Sequence, residues 1–138
     1  MRRGALLAGL LAIWWPAAPA GASWASTAAG PGTAQSTTIS APSGLSSDCG
    51  LGLLSAKVTL AWTATSTSWA DGYEVRWGTA PGAYSHSGTP SPASATSFTS
   101  PNLAAGTYYF VVRATKGNWR SAHSNEVSRG IGLLGCVL

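Results

Sequence analysis

The chain has 138 residues, 9% of them charged and 45% hydrophobic. That is enough for one domain, too little for two ordinary ones, and too apolar for a highly charged disordered chain. Eight Lys and Arg against four Asp and Glu give a net charge of +4, and Lys57, Arg76, Arg113, Lys116, Arg120 and Arg129 are scattered rather than clustered, which argues against a nucleic-acid partner.

Arg2 and Arg3 lead into an apolar run from Gly4 to Trp15, followed by Pro16 and small residues. A basic start, a short apolar middle and a small-residue end predict a secretory signal peptide over 1–22. Ala18-Pro-Ala20 and Ala20-Gly-Ala22 offer cleavage after Ala20 or Ala22. The alternative is a retained anchor, but a spanning helix needs about 20 apolar residues and roughly a dozen precede Pro16. No other stretch suits a bilayer, so no stable membrane span is expected after cleavage, and the chain is expected to be secreted or cell-surface associated. Loss of Arg2 and Arg3 leaves six basic residues against four acidic, or +2. Arg2-Arg3 lacks the flanking residues that would mark a twin-arginine signal. The low Lys count beside abundant Ala and Gly hints at a GC-rich bacterial source.

Residues 23–40 are mostly Ala, Gly, Ser and Thr with little to bury, which predicts a flexible leader. The domain is expected over 41–138. Cys49 and Cys136 are the only cysteines, and in an oxidising compartment one disulfide is the default. Two free thiols or a metal site are the alternatives. With only His86 and His123 to join them, the spacing does not suit zinc, so no metal or cofactor is expected.

Val58, Leu60 and Trp62 alternate with Thr59, Ala61 and Thr63, the period of a half-buried strand. Gly72 to Trp77 repeats it, with Tyr73, Val75 and Trp77 on one side and Glu74 and Arg76 on the other. Thr79-Ala-Pro-Gly-Ala83 is turn chemistry. A short strand is expected near Tyr84 to Ser87, a proline-rich connection over Gly88 to Pro92, and another short strand over Ala95 to Thr99. Thr107 to Thr115 is apolar on both faces, with Tyr108, Phe110, Val112 and Ala114 against Tyr109, Val111 and Arg113, as in a central strand. Lys116 to Arg120 reads as a loop and Ser121 to about Ile131 as the last strand. Seventeen Gly and eight Pro supply turns between short strands. About seven strands without helical periodicity predict an all-β, immunoglobulin-like antiparallel β-sandwich.

Several segments together resemble a fibronectin type III domain over about residues 41 to 131. They are Pro42-Ser-Gly-Leu45, Val58-Thr-Leu-Ala-Trp62, Gly72-Tyr-Glu-Val-Arg-Trp77, Leu103-Ala-Ala-Gly-Thr-Tyr108, Val112-Arg-Ala114 and Ser121-Ala-His-Ser-Asn-Glu-Val127. The resemblance implies that Trp62 is the slab between the sheets, within a core of Leu60, Tyr73, Val75, Leu103, Tyr108, Phe110 and Val112. It also implies a tyrosine corner: counting from Val112 and Ala114 selects Tyr108, and counting from Leu103 selects Tyr109, with strand alternation favouring Tyr108. The first and last strands of such a sandwich end at one pole, which brings Cys49 and Cys136 together. Such a domain ordinarily has no cystine, so the segment Gly130 to Leu138 is expected to fold back.

Catalysis finds little support. The acids Asp48, Asp71, Glu74 and Glu126 and the two His show no nucleophile elbow, no paired-carboxylate cleft and no phosphate-binding glycine loop. Neither an Arg-Gly-Asp tip nor an Asn-x-Ser/Thr sequon occurs. Trp69, Trp77, Trp119 and Tyr84 fall at loops or strand ends, and Trp beside a cation is a common interface anchor. A contact patch of Trp119, Arg120, Arg113 and Tyr109 is one expectation. The structural alternative has Trp69 covering one end of the core and Trp119 packing over the outer sheet face.

The resemblance implies a non-enzymatic binding, adhesion or spacer module whose partner is an extracellular protein or polysaccharide. Two further readings are a subunit of an extracellular fibre, in which Gly21 to Ser26 and Thr37 to Ser40 add as a strand to a neighbour, and a carbohydrate-binding accessory module using Trp119.

Overall fold

The computed structural model describes residues 37–50 and 55–137. The expected signal peptide, the leader up to residue 36 and the Gly21 to Ser26 segment lie outside them. Among the described residues there is no helix, and so none long and apolar enough to cross a membrane.

The described residues form eleven strands: β1 Ser43–Cys49, β2 Ser55–Ala56, β3 Val58–Thr63, β4 Gly72–Gly78, β5 His86–Gly88, β6 Ser97–Thr99, β7 Leu103–Ala104, β8 Gly106–Lys116, β9 Trp119–Arg120, β10 Val127–Gly132 and β11 Gly135–Val137. One sheet has the order β1-β3-β6 and the other β11-β10-β8-β4-β5, with β9 as a short hairpin partner of β8 and β2-β7 as a separate ribbon. All pairings are antiparallel. The long central strand β8 lies between β4 and β10, the place that an apolar strand on both faces requires.

The core follows the period of two. Val58, Leu60 and Trp62 of β3 face Tyr73, Val75 and Trp77 of β4 and Phe110, Val112 and Ala114 of β8, with Leu45, Leu103 and Ile131 closing the cluster. Trp62 meets Tyr73 edge to face at 5.5 Å between ring centroids and is 6% exposed. Trp77 is buried to the same degree and contacts Phe98 and His86; its side chain belongs to the core, although its position is a strand end. On the opposite face of β8, Val111 is also buried.

Four features depart from the expectations. Tyr108 is half-buried and packs against the core rather than within it, next to the exposed Gly106 and Thr107 that open β8. The Tyr73 hydroxyl pins a neighbouring loop by accepting from the Thr65 amide at 3.1 Å, whereas neither Tyr108 nor Tyr109 makes such a hydroxyl bond to another described residue. Ile39 is buried in the core, and Ser40 is held by Thr65 and Thr67 at 2.6 and 2.9 Å. Ile39 and Ser40, at the end of the expected leader, therefore belong to the domain and are already engaged within it. Finally, the last long strand starts at Val127 rather than Ser121.

Residues from Ile131 onward turn back as the β10–β11 hairpin, pairing Ile131 with Cys136. Cys49, the last residue of β1, forms a disulfide with Cys136, with Cα atoms 6.1 Å apart, inside the usual range of about 4.4–6.8 Å.

Candidate functional site

Trp119 stands one residue after a two-residue turn. Lys116 pairs with Trp119 across Gly117-Asn118, and Gly117 has φ +52°, a conformation that glycine adopts without steric cost. Arg120 fastens the hairpin by donating to the carbonyls of Gly117 at 2.6 Å and Trp119 at 2.9 Å. Its Nε lies 3.5 Å from Glu74, which also accepts from Arg113 Nε at 2.6 Å.

Trp69 comes from the β3–β4 connection, on a turn closed by the Ala70 amide donating to Thr67 at 3.1 Å. The Asp71 amide donates to the Thr115 carbonyl at 3.0 Å, and its carboxylate meets Lys116 Nζ at 3.3 Å. These ties set the two loops side by side. The indoles of Trp69 and Trp119 meet edge to face, 6.2 Å apart at 83°. They remain 37% and 60% exposed, so part of each indole faces solvent.

The pair forms the end of a groove of about 600 Å³ lined also by Thr37, Asp71, Lys116 and Asn118, within the span of about 300–1,000 Å³ common for ligand sites. A second hollow of about 440 Å³ shares Trp119 and Thr37 and adds Thr38, Arg120 and Ser121. Trp119 thus lines both hollows.

The expected patch is only partly assembled. Arg113 and Arg120 converge on Glu74, whereas Trp119 turns to Trp69. Tyr109 pairs with Gly78 and Ser128, six residues along β8 from the Thr115 that pairs with Arg120, about 20 Å away at strand rise. The residues missed were Trp69 as a partner, Asp71 and Thr37. The first two lie next to the start of β4, and their approach to the β8–β9 turn depends on the strand pairing.

A second polar cluster lies near the far end of the same sheet. Tyr84 donates its hydroxyl to Glu126, which also accepts from the Gly82 amide at 3.0 Å. Burial and the Glu126 bond push the Tyr84 hydroxyl up to about 12. The bond from Tyr84 and that from Gly82 hold Glu126 below its ordinary value. His123 packs on Tyr84 at 5.4 Å, and burial together with Arg113 and Arg76 lowers its pKa. Burial raises Glu74, but the Arg113 bond and the charges of Arg113, Arg120 and Arg76 outweigh it and leave Glu74 below its ordinary value. His86 stacks on Trp77, away from His123. Among the described residues no three His, Cys, Asp or Glu side chains gather in a metal-holding group.

No protein-family model matches the chain, and no curated protein matches it. Among solved structures it is similar to a Fn3-like protein from Clostridium thermocellum, with a TM-score of 0.54 and 24% identity over 67% of this chain and 92% of that one. The chain has the fibronectin type III fold.

Proposed function

We propose that this fibronectin type III-type module is exported and works by non-covalent binding at the cell surface or outside the cell, with the Trp69–Trp119 groove as its contact surface. The observation that carries the reading is the pair of exposed indoles meeting over a groove in a domain that places Trp62 and Trp77 inside. Large aromatic side chains in partly sheltered grooves supply much of the energy at interfaces, and ordering a Trp costs little side-chain entropy. The Asp71–Lys116 ion pair and the Arg120 clamp hold the two loops in place before a ligand arrives, which lowers the cost of binding. Export is supported by the basic-apolar-small order of the first 22 residues and by the Cys49–Cys136 disulfide, a bond that persists in oxidising compartments.

The test is co-sedimentation of the purified chain with envelopes of the cells that produce it. The parent is expected to sediment with the envelopes, and a Trp69→Ala/Trp119→Ala double variant to stay in solution. Equal partition of the two proteins would overturn the reading.

A further inference from the structure

We infer that the groove binds a neutral polysaccharide, with a pyranose ring seated in the corner between Trp69 and Trp119 and the chain continuing past Trp119 into the second hollow. This inference rests on the proposed binding function and names its ligand.

The corner comes first. Two indoles meeting edge to face at 83° and 6.2 Å form a corner, and each keeps part of its surface open to solvent. A pyranose has a face of C–H bonds that stacks on an aromatic plane and a rim of hydroxyls that needs hydrogen-bonding partners. The groove supplies that combination: indole beside the Asn118 amide, the Thr37 hydroxyl and the Asp71 carboxylate. An apolar peptide side chain would leave those polar groups desolvated without partners, at a cost that opposes binding.

Charge selects among the remaining aromatic-stacking ligands. The two ionised residues of the first hollow, Asp71 and Lys116, neutralise one another at 3.3 Å. In the second, Arg120 is committed to Glu74 and to the Gly117 and Trp119 carbonyls. Single-stranded nucleic acid stacks on aromatic residues too, but requires uncommitted cations along its phosphates. An acidic glycan requires them as well. A trench whose charges cancel complements a ligand that has none.

Shape adds length. Trp119 and Thr37 line both hollows, so a ligand extended along Trp119 can reach both. A linear chain of repeating rings does this, whereas a monosaccharide fills one. The second hollow adds the Thr38 hydroxyl as a partner.

The test is native gel electrophoresis of the full purified chain through gels containing hydroxyethylcellulose, xylan, galactomannan, polygalacturonic acid or heparin. Titration of tryptophan fluorescence with a disaccharide and a hexasaccharide of any polysaccharide that retards it follows. Retardation is expected in at least one of the three neutral gels and to persist in 0.5 M salt. Trp69→Ala and Trp119→Ala are each expected to weaken it tenfold or more with unchanged urea midpoints, and the hexasaccharide to bind at least tenfold more tightly than the disaccharide. Retardation by the two acidic polymers alone, abolished by salt, would overturn the inference. So would free migration in every gel: if envelope co-sedimentation then still depends on Trp69 and Trp119, the ligand is a protein, and the binding function stands without its glycan.

Discussion

Ser121 grips Ala114 at two points: its amide donates to the Ala114 carbonyl at 2.9 Å and its hydroxyl accepts the Ala114 amide at 2.8 Å. Ser124 does the same to Val112, at 2.8 and 3.0 Å. Three residues of this segment therefore span two of β8, and the hydroxyls replace the carbonyls that a regular strand would offer. Both β8 residues are fully buried, so removing a hydroxyl strands a buried N–H. Ser121→Ala and Ser124→Ala are each expected to cost about 1–3 kcal/mol, read from urea midpoints. Hydrogen exchange should accelerate at the Ala114 amide in the first variant and at the Val112 amide in the second. Unchanged exchange at those amides would show that the hydroxyl bonds contribute nothing.

These serines also show where the sequence stops being legible. The cores of β3, β4 and β8 follow from the alternation of Val58, Leu60 and Trp62, of Tyr73, Val75 and Trp77, and of Phe110, Val112 and Ala114, since burial on one face imposes period two. Ser121 to Glu126 runs beside β8 without regular pairing, and side-chain substitution for backbone bonds leaves no periodic trace. Strands β2, β7 and β9 have two residues each, too few for any period. Trp119 could be recognised as an exposed anchor, but its partner Trp69 is fifty positions away and reaches it only through the pairing of β4 with β8. Ile39 was hidden by its polar neighbours, because composition averages over a window and burial acts on one side chain.

The Cys49–Cys136 disulfide joins residues 87 positions apart, tying the end of β1 to the returning strand β11. Closing so long a loop restricts the unfolded chain, and the entropic account gives about 4–5 kcal/mol as an upper figure. A Cys49→Ala/Cys136→Ala double variant is expected to lose up to that amount in urea unfolding. The loss should match that caused by reducing the parent, because β1 already contacts β10 through the Arg129–Ser47 bond at 2.8 Å. A double variant as stable as the oxidised parent would show that the bridge does not constrain the unfolded ensemble.

Trp62 and Trp119 should respond oppositely to truncation. Trp62 fills the space between the sheets and meets Tyr73 edge to face, so Trp62→Ala opens a cavity and is expected to cost about 3–5 kcal/mol. Trp119 is 60% exposed, and Trp119→Ala should stay within about 0.5 kcal/mol of the parent. Thermal unfolding distinguishes them. A large loss from Trp119→Ala would mean that the Trp69–Trp119 contact holds the fold together rather than presenting a surface.

Tyr73 is expected to act through its hydroxyl as well as its ring. Tyr73→Phe keeps the packing against Trp62 but leaves the part-buried Thr65 amide without its acceptor, at a cost of about 1–2 kcal/mol. Tyr108→Phe, at the position expected to form the tyrosine corner, should be close to neutral. The reverse order of the two urea midpoints would restore the corner to β8.

The pH dependence of stability has an acid part shared by Glu74 and Glu126, a part from His123 and an alkaline part from Tyr84. Burial, then the charges of Arg113 and Arg76, outweigh the opposing charge of Glu74 and hold the His123 pKa below its ordinary 6.5. The unfolded chain therefore takes up this proton first, and stability falls as pH drops from about 6.5 toward the folded value. Glu74 is held below its ordinary 4.5, so its contribution is complete above that pH and is lost as pH falls through its lower folded value. Tyr84 is raised from 10.0 to about 12, so its contribution is complete below pH 10 and disappears as pH rises toward 12. Urea midpoints across pH should form a plateau between about 7 and 10. His123→Gln should flatten the slope just below 6.5 while leaving the steeper loss under 4.5, and Glu74→Gln should cut the loss under 4.5 to the share of Glu126 while leaving the slope near 6.5. Tyr84→Phe should flatten the alkaline limb alone. If His123→Gln leaves the slope between pH 6.5 and 5 unchanged, the imidazole is as easily protonated in the folded chain as in the unfolded one, and neither burial nor the cationic neighbours disfavour its charge.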